Sequence, residues 1–199
     1  MNQVRKDKLD AVLNRRQADL AVVMENIEDP HNIFAIMRTC DAVGVQDIYV
    51  LNTVFEKKRK YGTKSSSSAS KWVTMHHFTD MNECVNAVKE KYGRLYATSL
   101  KHDSKELHEM DFTQPIALAF GNETNGISDE FVTHCDGTIV IPQVGMIKSL
   151  NVSVACAVTL YEAYRQKNKL GHYDGEKKLP DEQYSMLQDK WYTNAKERG

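Results

Sequence analysis

Short aliphatic runs alternate along this chain with segments of helical periodicity, and this alternation constrains the fold more than any other feature. The runs are short, rich in β-branched or aliphatic residues, and bounded by polar or turn-forming residues, as buried strands are. Six strands are predicted, at 20–24, 47–51, 72–78, 94–100, 116–120 and 137–142. Because strand–helix–strand units cross over with one hand, the pattern predicts an α/β domain whose mostly parallel sheet is covered by helices on both faces.

The helices between these strands have ordinary stop signals. A helix predicted at 33–43 ends at Gly44, and one predicted at 80–92 ends before Gly93. Apolar residues at helical spacing predict a further helix near the N-terminus, and a helix at 150–166 closes the core. At 199 residues, the chain is long enough for one well-buried domain of this class.

The composition excludes several classes of protein. The net charge is −1, so the overall charge does not indicate a nucleic-acid partner. Apolar runs are far shorter than the roughly 20 residues that cross a bilayer, and the first residues lack an apolar leader, so we expect a cytoplasmic protein with no membrane partner. The four cysteines are scattered, which predicts reduced core thiols, and the metal-ligand spacings of Cys and His are absent, which predicts no metal.

Three unusual loops follow predicted strands, and they are the candidate functional segments. They contain DPHN at 29–32, GNETNGIS at 121–128 and PQVGMIKSLN at 142–151. Ligands of open parallel sheets bind at the carboxyl ends of the strands, on the loops that leave them. The sequence therefore predicts one ligand site built from these three loops.

The second loop has the spacing GxxxxG, which is typical of phosphate-binding P-loops. A P-loop needs a lysine at position 127 and Ser or Thr at 128, whereas this chain has Ile127, and Glu123 places a negative charge where phosphate would lie. A nucleoside triphosphate is therefore excluded as the preferred ligand. The alternative is a glycine-rich turn whose Glu123 caps the following helix.

The first loop leads into a helix that carries Arg38. We expect Asn32 to cap this helix and Arg38 to lie almost two turns inside it, partly buried among apolar neighbours. A partly buried guanidinium needs an anionic partner. That partner is either a core carboxylate such as Glu123 or a phosphate group of a ligand, and the residue types leave both open.

In the third loop, small polar residues alternate with aliphatic ones. Ser149 and Asn151 can present a hydroxyl and an amide to a ligand at the helix N-terminus, while Leu150 and Val152 turn toward the core. The alternative is that Ser149 only caps the helix.

Together these segments resemble a known family. DPHNIFAIMRTCDAVGV, LAFGNETNGIS and IPQVGMIKSLNVSVACAVTLYEA match, in order and spacing, the three motifs of the SPOUT superfamily of RNA methyltransferases, specifically the TrmH subgroup of tRNA guanosine 2'-O-methyltransferases. The resemblance implies a SPOUT domain at 18–166 with a C-terminal trefoil knot, between helical extensions at 1–17 and 167–199. It also implies S-adenosylmethionine as cofactor, a homodimer with sites completed across its interface, and methylation of the D-loop guanosine at position 18 of tRNA.

The resemblance further implies which residues act. The catalytic positions are Asn32, Arg38, Glu123, Ser149 and Asn151, and the cofactor-binding positions are Thr98, Gly121, Asn122, Ile141 and Leu150. Since a free guanidinium stays protonated, we hypothesise that Arg38 stabilises the developing alkoxide and positions the substrate phosphate rather than acting as a simple base.

Two basic segments are candidate RNA contacts, with solvent-exposed charge as the alternative. The predicted RNA-binding residues are Arg5, Lys6, Arg15, Arg16, Lys57, Lys58, Arg59 and Lys60. The aromatic residues of the C-terminal tail are available to stack on bases, but packing is the favoured interpretation. Two other functions remain open: a SPOUT methyltransferase for ribosomal RNA or the tRNA wobble ribose, and a non-catalytic RNA-binding SPOUT protein, which we would expect to lack Arg38 or the third motif.

Overall fold

A seven-stranded sheet forms the centre of the protein in the computed structural model, which describes residues 1–54, 68–100 and 103–196. The strand order is β3-β2-β1-β6-β4-β7-β5, and all six neighbouring pairs are parallel. The strands are β1 (Gln17–Glu25), β2 (Val45–Leu51), β3 (Thr74–Phe78), β4 (Leu95–Thr98), β5 (Lys105–Glu106), β6 (Ile116–Phe120) and β7 (Gly137–Val140). The predicted α/β class and parallel sheet are confirmed.

Six α-helices accompany the sheet within the described ranges. They are α1 (Gln3–Leu13), α2 (Pro30–Ala42), α3 (Met81–Tyr92), α4 (Asp129–Thr133), α5 (Val152–Lys169) and α6 (Asp181–Lys196). Helix α2 begins three residues before its predicted start because Asp29 caps it, accepting a hydrogen bond from the His31 amide at 2.8 Å, and Pro30 suits the first turn. The prediction that Asn32 caps α2 is therefore wrong, and Asn32 lies buried inside the first turn.

Two apolar layers cover the two faces of the sheet, as predicted. Alternate residues of β1 point to opposite sides, so Leu20 and Val22 join the layer under α2 and α5, while Ala21 and Val23 join the layer under α3. This arrangement leaves the strand ends, rather than the sheet faces, open to ligands.

A third apolar cluster joins the two ends of the chain. Leu13 at the end of α1 packs with Leu187 and Trp191 of α6, and Trp191 is only 1 % exposed. Tyr173 is also buried, and its hydroxyl donates a hydrogen bond to the Val43 carbonyl at 2.8 Å. The tail aromatics thus pack, as favoured from the sequence. The helical extensions are present, whereas the domain boundaries and the trefoil knot stay predictions.

Arg16 belongs to this junction as well. Its side chain is fully buried, its guanidinium forms an ion pair with Asp41, and it lies 4.9 Å from the ring centre of Trp191. A side chain enclosed in this way has no surface to offer to RNA. The predicted RNA contact of Arg16 does not fit this position, because its charge is already neutralised by Asp41 at the end of α2.

The four cysteines are free, and Cys40, Cys84 and Cys156 are buried. Burial raises the pKa of Cys84 to about 12, so its thiol stays protonated at neutral pH. Among the described residues, none of the helices is long and apolar enough to cross a bilayer. The described part of the chain also contains no group of His, Cys, Asp and Glu arranged to hold a metal ion.

Candidate active site

A cavity of about 640 Å³ lies at the carboxyl ends of β4, β6 and β7. This volume is within the range of sites that bind small molecules and cofactors. Its aliphatic wall includes Ile139 of β7, and its rim is formed by the loops that follow β6 and β7. All five predicted cofactor-binding residues line it: Thr98, Gly121, Asn122, Ile141 and Leu150.

The loop after β6 folds back on itself at the edge of this cavity. The Gly126 amide donates to the Asn122 carbonyl at 2.8 Å, and Gly126 has a φ of +70°. A Cβ on Gly121 would lie 2.2 Å from the Ile127 nitrogen and 2.3 Å from the Gly126 carbonyl oxygen. Only glycine fits at 121, because any larger residue would force the loop open.

Three side chains connect the three loops predicted from the sequence. The Asn32 amide nitrogen donates to Glu123 Oε1 at 2.9 Å, and the Asn151 amide nitrogen donates to Asn32 Oδ1 at 3.1 Å. Asn32 is buried and does not itself line the cavity, whereas Glu123 and Asn151 do. The chain of hydrogen bonds therefore fixes two cavity residues through a buried amide.

Glu123 holds the first loop rather than the helix that follows it. Its carboxylate accepts hydrogen bonds from the backbone amides of Glu28 and Asp29 at 3.3 and 3.2 Å. The helix α4 is capped instead by Ser128, whose hydroxyl accepts from the Phe131 amide at 3.1 Å. The interpretation of Glu123 as a cap of the following helix is wrong.

These contacts also keep Glu123 ionised. Burial by itself raises its pKa, but the hydrogen bonds from Asn32 and from the backbone amides outweigh this effect and lower the pKa below its ordinary value. The cavity therefore has the Glu123 carboxylate on its wall at neutral pH, and Asp129 also lines it. A cationic ligand is favoured there over a triphosphate, in agreement with the sequence.

The third loop divides its polar groups between structure and solvent. Asn151 caps α5, and its Oδ1 accepts from the Ser153 amide at 2.9 Å and from the Ser153 hydroxyl at 2.6 Å. Ser149 is exposed, lines the cavity and makes no hydrogen bond with another described residue. The alternative that Ser149 caps the helix is wrong, and its hydroxyl is left for a ligand.

Arg38 lies apart from the cavity. Helix α2 turns Ile33, Ile36 and Met37 toward the core, and Arg38 projects from the opposite side, where it is exposed. It forms no ion pair or hydrogen bond with any described residue. The expectation that Arg38 is partly buried is wrong, because six helical positions place Arg38 and Asn32 on different faces. Of the two alternatives for its partner, a pair with Glu123 is not formed.

The predicted RNA-binding residues are scattered over α1 and the loop after it. Arg5, Lys6 and Arg15 are exposed, with the Lys6 ammonium 5.5 Å from the ring centre of Tyr192 and Arg15 Nε donating to the Tyr173 carbonyl at 3.3 Å. The positions 57–60, which hold Lys57, Lys58, Arg59 and Lys60, lie outside the described residues.

Gln143 and Glu25 contribute to the site, although neither was among its predicted residues. Gln143 lines the cavity, and its buried Oε1 has no hydrogen-bond donor among the described residues. Glu25, only 1 % exposed at the end of β1, accepts hydrogen bonds from the Ser128 amide and hydroxyl at 2.9 and 2.5 Å and so anchors the far end of the second loop. An acid that ends a buried strand was the available signal for Glu25.

Comparison with known proteins places the chain in a family. Residues 19–161 match the model of the SpoU rRNA Methylase family. A tRNA (guanosine(18)-2'-O)-methyltransferase of Thermus thermophilus is 41% identical over 187 residues, which cover 94% of this chain and 95% of that protein.

Two solved structures extend the comparison. The Aquifex aeolicus TrmH/SpoU tRNA modifying enzyme has a TM-score of 0.87 and 38% identity, and the match covers 97% of both chains. The SpoU methyltransferase AviRb of Streptomyces viridochromogenes, solved in complex with the cofactor AdoMet, has a TM-score of 0.69 and 30% identity over 77% of this chain and 62% of its own. The chain belongs to the SpoU rRNA Methylase family.

Proposed function

We propose that the protein is an S-adenosylmethionine-dependent RNA ribose 2'-O-methyltransferase that acts on guanosine 18 in the D-loop of tRNA. The observation that carries this proposal is the likeness of 94% of the chain to enzymes of Thermus thermophilus and Aquifex aeolicus that are named for that guanosine. The family model covers only 19–161 and leaves out α1 and α6, whereas the 97% match to the Aquifex enzyme includes them. The terminal helices therefore favour the guanosine-18 enzymes over SpoU proteins that act on other RNAs.

The residues of the cavity fit S-adenosylmethionine. Aliphatic side chains such as Ile139 and Ile141 suit an adenine ring, and the carboxylate of Glu123 suits a cation. The unpaired Gln143 oxygen is an acceptor in need of a donor, and the cofactor offers amino and hydroxyl donors. When bound, the cofactor supplies an electrophilic methyl group.

The chain's own residues then position and polarise the ribose. Ser149 offers its free hydroxyl at the cavity, and Asn32, Asn151 and Glu123 keep the loops in register. Arg38 stabilises negative charge on the 2'-oxygen as the hydroxyl proton passes to solvent water and the oxygen takes the methyl group, and it holds the neighbouring phosphate of the RNA. Its guanidinium is available for that role because no acid of the described chain pairs with it.

We further propose a homodimer, and the position of Arg38 outside the cavity that it must serve supports it. Helix α2 packs on α5, and α5 exposes Val154, Val158 and Tyr161 at helical spacing on one face. An exposed apolar face of this kind is typical of an interface. A second copy bound there would bring its Arg38 to this cavity. We place the enzyme in the cytoplasm, with its tRNA substrate.

The test is methyl transfer from labelled S-adenosylmethionine to an unmodified tRNA transcript, followed by identification of the labelled nucleoside. The matched control is the same tRNA with 2'-deoxyguanosine at position 18, which lacks the reacting hydroxyl. Label in 2'-O-methylguanosine that disappears in the control supports the proposal. Label that persists in the control would show that guanosine 18 is not the methylated position. If ribosomal RNA is supplied in a parallel reaction and is the only RNA labelled, tRNA is not the substrate.

A further inference from the structure

A second cavity of about 340 Å³ lies between the two terminal helices, at the edge of the sheet opposite the cofactor cavity. Its walls come from α1, from the end of α2, from the residues before β3 and from α6. It is lined by Arg5, Lys8, Leu9, Val12, Asp41, Trp72 and Trp191. The volume falls at the lower end of the range for small-molecule sites, which suits one mononucleotide.

The α1 wall of this α1–α6 cavity presents two unpaired cations. Arg5, Lys8 and Leu9 share one face of the helix, because they are three and four residues apart. Neither the Arg5 guanidinium nor the Lys8 ammonium makes an ion pair or hydrogen bond with any described residue. The carboxylate that lines the cavity, Asp41, is already paired with Arg16. The cavity therefore has a positive charge that no residue of the described ranges neutralises.

The opposite wall is aromatic. Trp72 is partly buried, and its ring meets that of Trp191 edge-on, with ring centres 5.4 Å apart and planes at 77°. Trp191 is held from its other side by Arg16, and its buried indole N–H has no acceptor among the described residues. A buried donor without a partner costs stability, so packing in the isolated chain does not fully account for this arrangement.

We propose that the α1–α6 cavity binds one nucleotide of the RNA substrate, with its base against the indole of Trp72 and its phosphate between Arg5 and Lys8. Base–aromatic stacking beside cationic side chains is the usual way in which proteins hold unpaired nucleotides. The inference rests on the proposed RNA-methylating function and names a second contact of the same substrate.

The distance between the two cavities limits which RNA molecules can occupy both of them. Asp41 and Trp72 precede β2 and β3, whereas the cofactor cavity lies beyond the far ends of the strands. The seven residues of β2 alone span roughly 20 Å. One nucleotide cannot occupy both places, so the α1–α6 cavity selects an RNA large or folded enough to reach a point remote from the methylated ribose.

Intrinsic fluorescence tests this site directly, because the chain has two tryptophans and both line the cavity. The probe is a short oligouridylate titrated into the purified full-length protein. We expect saturable quenching, and the double variant Arg5→Glu/Lys8→Glu should weaken binding by about tenfold or more. The matched control is Lys190→Glu, an exposed lysine of α6 outside the cavity, with an expected change below about twofold.

A variant of the aromatic wall gives a second readout. Trp72→Ala leaves Trp191 as the reporter and should weaken the oligonucleotide by about tenfold, whereas Trp72→Phe should restore most of the binding. Affinity for S-adenosylmethionine should stay unchanged in every variant, which shows that the fold is intact. Quenching that is absent, or that is equally strong in the double variant, overturns the proposal. Equal quenching by oligoglutamate overturns it in favour of a general anion site.

Methylation of tRNA separates this inference from the proposed function. If the double variant raises the KM for tRNA about tenfold with little change in kcat, the α1–α6 site and the proposed function are both supported. If tRNA is methylated with the same KM by all variants, the α1–α6 site is wrong and the proposed function stands. If the oligonucleotide binds as expected but no RNA is methylated, the site stands and the proposed function fails.

Discussion

The two edges of the sheet use their polar residues in opposite ways. At the amino edge, Arg16 and Lys167 are fully buried, and each is matched by an acid, Asp41 and Asp19 respectively. At the carboxyl edge, the Ser149 hydroxyl and the Gln143 oxygen have no partner among the described residues. The buried charges at the amino edge stabilise the fold, and polar groups at the carboxyl edge remain available to a ligand.

The contrast between the edges extends to two arginines. Arg16 is enclosed and paired, whereas Arg38 is exposed and unpaired. Substitutions of the buried, paired residues at the amino edge should therefore change the free energy of unfolding, and substitutions at the carboxyl edge should change turnover or cofactor affinity. The predictions that follow test this division, beginning with the largest expected effect.

Asp41→Asn should give the largest loss of stability. It leaves the buried guanidinium of Arg16 without its carboxylate, and an uncompensated buried charge costs about 3–5 kcal/mol. The measurement is urea unfolding, with the free energy of unfolding extrapolated to water. Lys89→Met is the control, because it breaks an exposed ion pair, Lys89–Asp136, that contributes less than about 1 kcal/mol. Equal losses in both variants would show that burial does not set the strength of these pairs.

Arg38→Ala should act on catalysis alone. Loss of a group that stabilises the developing oxyanion costs about 10²–10³ in kcat, or about 3–4 kcal/mol. Arg38→Lys should recover only part of this, since a lysine cannot reproduce the planar guanidinium fork. The midpoint of thermal unfolding should not move, because the side chain is exposed and unpaired.

The control for Arg38 is Lys169→Ala, which removes an exposed cation at the end of α5. It should leave both kcat and the thermal midpoint unchanged. Near-full turnover of Arg38→Lys would mean that the proposed role of the guanidinium is wrong.

Elements that depend on their own residues and close sequence neighbours could be predicted from the sequence, whereas elements that depend on distant partners could not. Strand β6 was predicted at its observed limits, because its five apolar residues are bounded by Pro115 and Gly121. Strand β5 was missed, since its two residues, Lys105 and Glu106, are exposed and carry no strand pattern. Local patterns are sufficient where burial is continuous and fail where an edge strand forms by pairing alone.

The candidate site shows the same limit. Its three loops were found from their position after strands and from their motifs, yet the hydrogen bonds within the site join residues 91 and 119 positions apart. Arg16 was misassigned because its sequence neighbours are polar, while Asp41 lies 25 positions away. The sequence shows which polar residues are present, but their hydrogen-bonding and ion-pair partners are set by the way in which the fold brings distant segments together.

A pH series should expose another buried acid near the amino edge. Asp47 is 3 % exposed, and although burial raises its pKa, hydrogen bonds from His76 and Lys91 lower it from 3.8 to about 2. Because the folded pKa is the lower one, this carboxylate stabilises the protein above about pH 4, and the contribution is lost as the pH falls toward 2. The shift corresponds to roughly 2 kcal/mol.

The measurement compares the wild type with Asp47→Asn by denaturant unfolding between neutral and acid pH. The variant should be less stable by roughly 2 kcal/mol at pH 7, and the difference should shrink toward zero near pH 2. Asp189→Asn, which removes an exposed carboxylate of α6, is the control for acid effects elsewhere. A difference that is as large at pH 2 as at pH 7 would show that shape, rather than charge, accounts for the loss.

Compared with Asp41 and Asp47, the smallest loss of stability is expected at Asn151, a residue that has both a structural role and a role in the site. Its Oδ1 caps α5, a structural role, and its amide nitrogen holds Asn32, a role in the site. Asn151→Ala removes both and should cost about 1 kcal/mol of stability. Asn151→Asp keeps the cap but removes the donor to Asn32, so stability should stay near that of the wild type while affinity for S-adenosylmethionine falls in both variants. Titration calorimetry and thermal unfolding separate the two roles. If Asn151→Asp binds the cofactor as tightly as the wild type, the hydrogen bond to Asn32 serves the fold alone, and the division between the edges does not extend to this loop.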